Sequence, residues 1–146
     1  MILRPLTADD LDRVLALEGE LFSADAWTRG MLTDELAAPG RRYLVAELAG
    51  DVVGYAGVLL GPESHIMTIA VALSQQRRGI GRALMTGLMQ AIREAGSDSV
   101  VLEVRADDEG PQHLYAEFGF VPLGIRRGYY RGADALVMGV EIGDEP

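Results

Sequence analysis

The chain has 146 residues, 22 acidic against 13 basic, a formal net charge of −9, and nearly half of its residues are apolar. This length and apolar content predict one domain, residues 1–146, around a single core, and the acidic balance argues against direct nucleic-acid binding. The absence of cysteine excludes disulfides, thiolate metal sites and a cysteine nucleophile.

Ile2 to Arg4 reads as a short first strand. Thr7 to Leu21 follows with helical period, its Leu11, Val14, Leu15 and Leu21 on one face and Thr7 or Asp9 as cap. Phe22 to Trp27 breaks that pattern, and Thr28 caps a second short helix that Pro39-Gly40 ends. Arg42 to Leu48 and Val52 to Leu60 are predicted strands joined at Ala49-Gly50-Asp51, a hairpin signal. Gly61-Pro62 closes the second, and His65 to Leu73 forms the next strand.

Gly81 to Ala95 is the longest predicted helix, with Leu84, Leu88, Met89 and Ile92 as its buried stripe and Gly96 just past its end. Ser99 to Arg105 is an almost wholly apolar run, as expected of a central strand. Pro111 to Phe118 is a short helix with proline in its first turn. Phe120 to Arg126 and Ala135 to Glu141 pair as the last strands, and residues 143–146 are expected to fray. The order β-α-α-β-β-β-α-β-α-β-β predicts a mixed α/β architecture.

The most informative stretch is Gln76-Arg77-Arg78-Gly79-Ile80-Gly81-Arg82. It joins a strand to a helix N-terminus, where backbone N–H groups converge and the helix dipole favours negative charge. A phosphate or pyrophosphate is the natural guest. It is neither the Walker pattern, which needs Gly-Lys-Ser/Thr, nor the dinucleotide fingerprint, which needs a third glycine. Read alone, Gly79 and Gly81 shape a tight turn or cradle an anion, and the three arginines are a solvated face or part of that cradle.

Glu103 stands inside Val100-Val101-Leu102-Glu103-Val104. Desolvation there is expected to raise its pKa toward neutrality, as suits a general base; a structural pair with Arg105, two residues on and on the same strand face, is the alternative. Tyr115 reads either as a core aromatic or as a hydroxyl donor, and Trp27, Tyr129 and Tyr130 as core or as binding aromatics. His65 and His113 have no carboxylate or histidine at ligand spacing, so both read as ordinary residues and no metal site is expected. The first residues do not have the form of a signal peptide, and no apolar run approaches the roughly 20 residues that cross a bilayer; no membrane partner and a cytoplasmic location are expected.

Gln76-x-x-Gly79-x-Gly81, in this element order, resembles the acetyl-coenzyme A site of the GNAT (Gcn5-related) N-acetyltransferases, and the likeness covers essentially the whole chain. Leu102-Glu103-Val104-Arg105 followed by Leu114-Tyr115-x-x-x-Gly119-Phe120, and Arg126-Arg127-Gly128-Tyr129-Tyr130 followed by Asp134-Ala135 and Met138, are similar to the RimI-type N-terminal protein acetyltransferases. The resemblance implies a central, mostly antiparallel mixed sheet flanked by helices, and an enzyme that moves an acetyl group from acetyl-CoA, its cosubstrate, to a protein N-terminus, an alanine of a ribosomal protein.

It further implies that Arg77, Arg78, Gly79, Ile80, Gly81 and Arg82 hold the pyrophosphate, and that Ile69, Ala70 and Val71 form the edge along the pantetheine arm. Glu103 is then the general base and Tyr115 the general acid, while Phe22, Trp27, Tyr129 and Tyr130 line the acceptor groove. Asp108 stands where the family has an asparagine that hydrogen-bonds the cofactor, and Pro111 replaces a small residue of the following helix. An ionised aspartate accepts but does not donate. A lysine or small-molecule acceptor, and a coenzyme A-binding module without turnover, are the rival readings.

The chemistry suits these residues. Acetyl transfer needs an amine stripped of a proton, a stabilised oxyanion, for which a backbone N–H near Val71 is expected, and a departing thiolate. An α-amine has a pKa of about 7.7–8.0 against about 10.4 for lysine, so one carboxylate acting through water suffices for an N-terminus.

Overall fold

The computed structural model describes residues 1–143, so the expected fraying lies, beyond Gly143, outside the described residues. The predicted element order is found: β1 (Ile2–Pro5), α1 (Leu11–Phe22), α2 (Arg29–Ala37), β2 (Arg41–Leu48), β3 (Asp51–Leu59), β4 (Glu63–Val71), α3 (Ile80–Glu94), β5 (Ser99–Arg105), α4 (Glu109–Glu117), β6 (Val121–Tyr130) and β7 (Ala133–Glu141). The seven strands form one sheet in the order β1-β2-β3-β4-β5-β7-β6. Every neighbouring pair is antiparallel except β4 and β5.

Local chemistry accounts for the elements. At the β2–β3 turn Ala49 and Gly50 take φ of 52° and 82°, the left-handed pair that a tight hairpin requires. Asp10 accepts the Thr7 N–H at 2.8 Å, and a short 3₁₀ turn, Ala8–Asp10, intervenes before α1. The helix therefore begins four residues later than Thr7. Arg4 clamps the buried Asp10 with two bonds of 2.9 Å, and holds its carboxyl down at about 2.

The sheet divides the core in two. Ile80, Leu84, Met85, Leu88 and Ile92 of α3 bury one face, and Val14, Leu17 and Leu32 of α1 and α2 bury the other. Leu17, which the periodicity did not single out, is fully buried. Within the second core the Tyr43 ring packs against Gly57, where an added Cβ would come within 2.1 Å of it.

Boundaries differ from expectation at several places: β4 and α4 each begin two residues early, at Glu63 and Glu109, and two differences bear on the site. β4 stops at Val71, and Leu73 opens a 3₁₀ turn with its side chain exposed. β6 runs on to Tyr130, with a register break after Arg126 where Gly128, at φ 63°, donates its N–H to the Asp134 carboxylate at 2.9 Å.

One departure from regularity creates the site. β4 and β5 pair only at Glu63–His65 with Ser99–Val101, yet β4 continues to Val71 and β5 to Arg105. Beyond His65 the strands splay. A register shift between β3 and β4, which leaves Met67 unmatched, bends β4 at the same level. No helix among the described residues is long and apolar enough to cross a membrane.

Candidate active site

The splay opens a cavity of about 420 Å³ walled by β4, β5, α4 and the segment that follows α1. Phe22, Trp27, Ile69, Glu103, Asp108, Tyr115 and Tyr130, widely spaced in the chain, all line it. The structure thus brings the catalytic candidates together with three of the four aromatic groove candidates, while the glycine-loop residues lie elsewhere.

Glu103 is the electrostatic centre. Its side chain is 9% exposed. One oxygen meets His65 Nε2 at 2.5 Å, and the other accepts from Arg126 Nη1 at 2.9 Å. The His65 hydrogen bond first, and the Arg126 guanidinium with it, hold the carboxyl below its ordinary range and outweigh desolvation. This corrects the expected upward shift: burial does act on Glu103, but two cationic or donating partners act more strongly. It also corrects His65 as an ordinary residue, and Arg105 as the ion-pair partner. Arg105 instead bonds Asp107 at 3.1 Å and faces Asp25 at 3.8 Å.

The tyrosines divide. Tyr115, on α4, is buried and packs at 6.2 Å from Phe120; burial raises its phenol well above the ordinary value, so it stays protonated at neutral pH. Tyr130 lines the cavity and donates its hydroxyl to the Glu103 carbonyl at 3.2 Å, with its pKa pushed up to about 12, chiefly by burial. Tyr129 lies outside the cavity, 45% exposed, under the Arg126 guanidinium at 4.7 Å.

On the opposite wall Trp27 stands edge-on to Tyr43, and its backbone N–H donates to Glu18 Oε1 at 2.7 Å. Glu18, on α1, is 2% exposed, and burial pushes its carboxyl up to about 7. The sequence reading passed over this residue. The signal was its spacing, four after Val14 and three before Leu21, which places it on the apolar stripe of α1.

The glycine loop lies at the far end of β4. Arg77 and Gly79 both take left-handed φ, 65° and 82°. Gly79 caps α3 without any side-chain bond, so the first N–H groups of this 15-residue helix have no side-chain cap. Gln76 Nε2 ties the loop to the Val71 carbonyl at 3.1 Å. Arg77 and Arg78 are exposed without ion pairs among the described residues, whereas Arg82 is paired with Glu117 of α4. Gly81 sits against Leu114, where a Cβ would come to 3.4 Å. Ile69 faces the cavity, while Ala70 buries its side chain in the core beneath and Val71 pairs with Gly54. Asp108 caps α4 at the exposed rim, its carboxylate making no capping bond. Open left-handed backbone, a bare helix N-terminus and free arginines fit a pyrophosphate group.

The family model described as Acetyltransferase (GNAT) family matches residues 11–120. The N-alpha-acetyltransferase RimI of Mycobacterium tuberculosis is 41% identical over 95% of this chain and 91% of its own. The [ribosomal protein bS18]-alanine N-acetyltransferase of Escherichia coli K12 is 36% identical over 70% of this chain and 74% of its own. The crystal structure of the ribosomal-protein-S18-alanine N-acetyltransferase from Escherichia coli superposes with a TM-score of 0.89 at 26% identity, over 99% of this chain and 96% of that one. A sheet opened between β4 and β5, a glycine loop at one end of the gap and full-length likeness to these enzymes agree: this chain belongs to the GNAT acetyltransferase family, as a RimI-type enzyme that uses acetyl-coenzyme A.

Proposed function

We propose that the enzyme acetylates the α-amine of a protein N-terminus, and that an N-terminal alanine of a ribosomal protein is its substrate. The observation that carries this reading is the cavity-facing Glu103, ionised between His65 and Arg126 and flanked by Tyr115 and Tyr130. The name of the Mycobacterium tuberculosis relative supports the α-amine acceptor, and that of the Escherichia coli relative supports the ribosomal one. The whole chain serves as one domain, and the cytoplasm, where ribosomes and acetyl-coenzyme A meet, is the setting this activity requires.

Acetyl-coenzyme A supplies an activated acetyl group. Residues Arg77 to Arg82 hold its pyrophosphate through backbone N–H groups and guanidinium charge, and the free edge of β4 at Ile69 to Val71 takes its extended arm. An α-amine is partly neutral near pH 8. As its lone pair is spent on the new bond, the remaining N–H protons become acidic. A strong base is then unnecessary, and Glu103, kept ionised, accepts a proton directly or through water. His65 and Arg126 act through Glu103 by fixing its orientation and charge. Tyr115, protonated at neutral pH, donates toward the departing sulfur. Backbone N–H groups of β4 in the splayed region stabilise the developing oxyanion. Phe22, Trp27 and Tyr130 wall the acceptor groove, with Tyr129 at its rim.

The test is thiol release from acetyl-coenzyme A with an Ala-Arg-led peptide bearing a free N-terminus, beside its N-blocked twin. Release with the free peptide alone is expected. Equal release with the blocked twin, or release only with a lysine or a polyamine, overturns the reading.

A further inference from the structure

We infer that Glu18 is a binding residue of the acceptor site, the anion on which the acceptor's ammonium group docks before transfer. The inference rests on the amine-acetylating reading above and adds a residue to it.

Four carboxylates line the cavity, Glu18, Asp25, Glu103 and Asp108, and their charges are not equivalent. Glu103 is compensated by His65 and Arg126. Asp25 is compensated by Arg105 at 3.8 Å and by the Arg131 N–H at 3.3 Å. Asp108 stands exposed at the rim, where water screens it. Glu18 alone is buried and has no cation partner among the described residues; its one bond is the Trp27 backbone N–H on Oε1, and no bond is made to Oε2. An uncompensated carboxyl at 2% exposure is costly. A wall that merely had to hold Trp27 would be served by a neutral acceptor such as an amide.

An amine enters this cavity mostly as a cation, because an N-terminus carries its proton until about pH 8. It meets Glu103 already neutralised and Glu18 not. Docking there supplies the missing partner, holds the ammonium against the Phe22–Trp27 wall, and drives Glu18 to its ionised form, its proton leaving to solvent. The elevated carboxyl pKa of the empty site has the same cause, burial without a cation.

The test is calorimetric binding to the coenzyme A-saturated protein, which cannot turn over. An alanine-led peptide with a free α-amine is compared with its desamino twin, in which hydrogen replaces that amine. The wild type is expected to prefer the free amine by roughly 10- to 100-fold, the range of one charge-assisted hydrogen bond. Glu18→Gln, which keeps an acceptor for Trp27, should shrink the preference to within about threefold with coenzyme A affinity intact, whereas Glu103→Gln should retain it. A preference kept in Glu18→Gln, or absent from a wild type that binds both peptides, overturns the proposal and leaves Glu18 an anchor for the Trp27 backbone.

A second measurement needs no variant: the Glu18 carboxyl carbon, followed by NMR, should titrate at lower pH once the free-amine peptide is bound and stay put with the desamino twin. An unmoved midpoint with both overturns the proposal. Butane-1,4-diamine separates the two readings. Glu18-dependent binding of the diamine without any of the peptide keeps the docking site and refutes the N-terminal acceptor.

Discussion

Replacing His65 by alanine tests how Glu103 is tuned. The imidazole contributes the largest hold on that carboxylate, through a contact of 2.5 Å. A hydrogen bond to a charged group is worth about 1.5–3 kcal/mol. His65 is 29% exposed, so solvent screening tempers the loss, but without the imidazole the Glu103 carboxyl should titrate higher than in the wild type. Arg126 remains at 2.9 Å and keeps the carboxyl from returning fully to its ordinary value.

The sign follows. In the wild type the Glu103 carboxyl is ionised well below neutrality, far under the pH at which the acceptor amine loses its proton. In His65→Ala the Glu103 carboxyl carbon, followed by NMR, should titrate at higher pH than in the wild type. Loss of orientation should lower kcat by about tenfold, a part of the 10²- to 10⁴-fold that general-base catalysis is worth and that Glu103→Gln should forfeit. The NMR titration reads the first effect, and thiol release at pH 8, with acetyl-coenzyme A affinity as control, reads the second. An unmoved Glu103 midpoint with kcat within twofold of wild type would show that His65 neither tunes nor orients Glu103.

Three further outcomes are expected. Gly57→Ala should lower the melting temperature by about 3–10 °C, from roughly 1–3 kcal/mol of overpacking against Tyr43, whose hydroxyl bonds Glu35 at 2.8 Å; an unchanged melting point would mean that the ring moves aside freely. The Asp10 carboxyl, depressed to about 2 mainly by Arg4, contributes stability that is present above its unfolded pKa near 3.9 and lost as pH falls through 2. With Arg4 about one-third exposed, Asp10→Asn should cost on the order of 1–2 kcal/mol in urea unfolding at pH 7 and progressively less toward pH 3, and a gap that does not narrow refutes the linkage. Tyr115→Phe should cut kcat by about tenfold with cofactor affinity unchanged, since a donor helps a thiolate of modest basicity without being indispensable; an equal loss of cofactor affinity would mark Tyr115 as a packing residue.

What sequence alone determined here is local. Helical period placed Leu84, Leu88 and Ile92 on the buried stripe of α3, and Ala49-Gly50 demanded left-handed backbone in a hairpin. Gln76 to Gly81 marked a candidate anion site because a bare helix N-terminus needs only its own first turn and the loop before it. Such features depend on neighbours within one or two turns of chain, so they can be read along it. Tertiary structure decided the electrostatics. His65 reaches Glu103 across 38 residues and Arg126 reaches it across 23, and both meetings depend on strand order and on where β4 and β5 part. The carboxyl that looked poised to be raised is lowered, while the one raised to about 7 is Glu18, hidden on the apolar stripe of α1. Burial and charge pairing act through space over a few ångströms, and which groups come that close is settled only when the sheet is assembled.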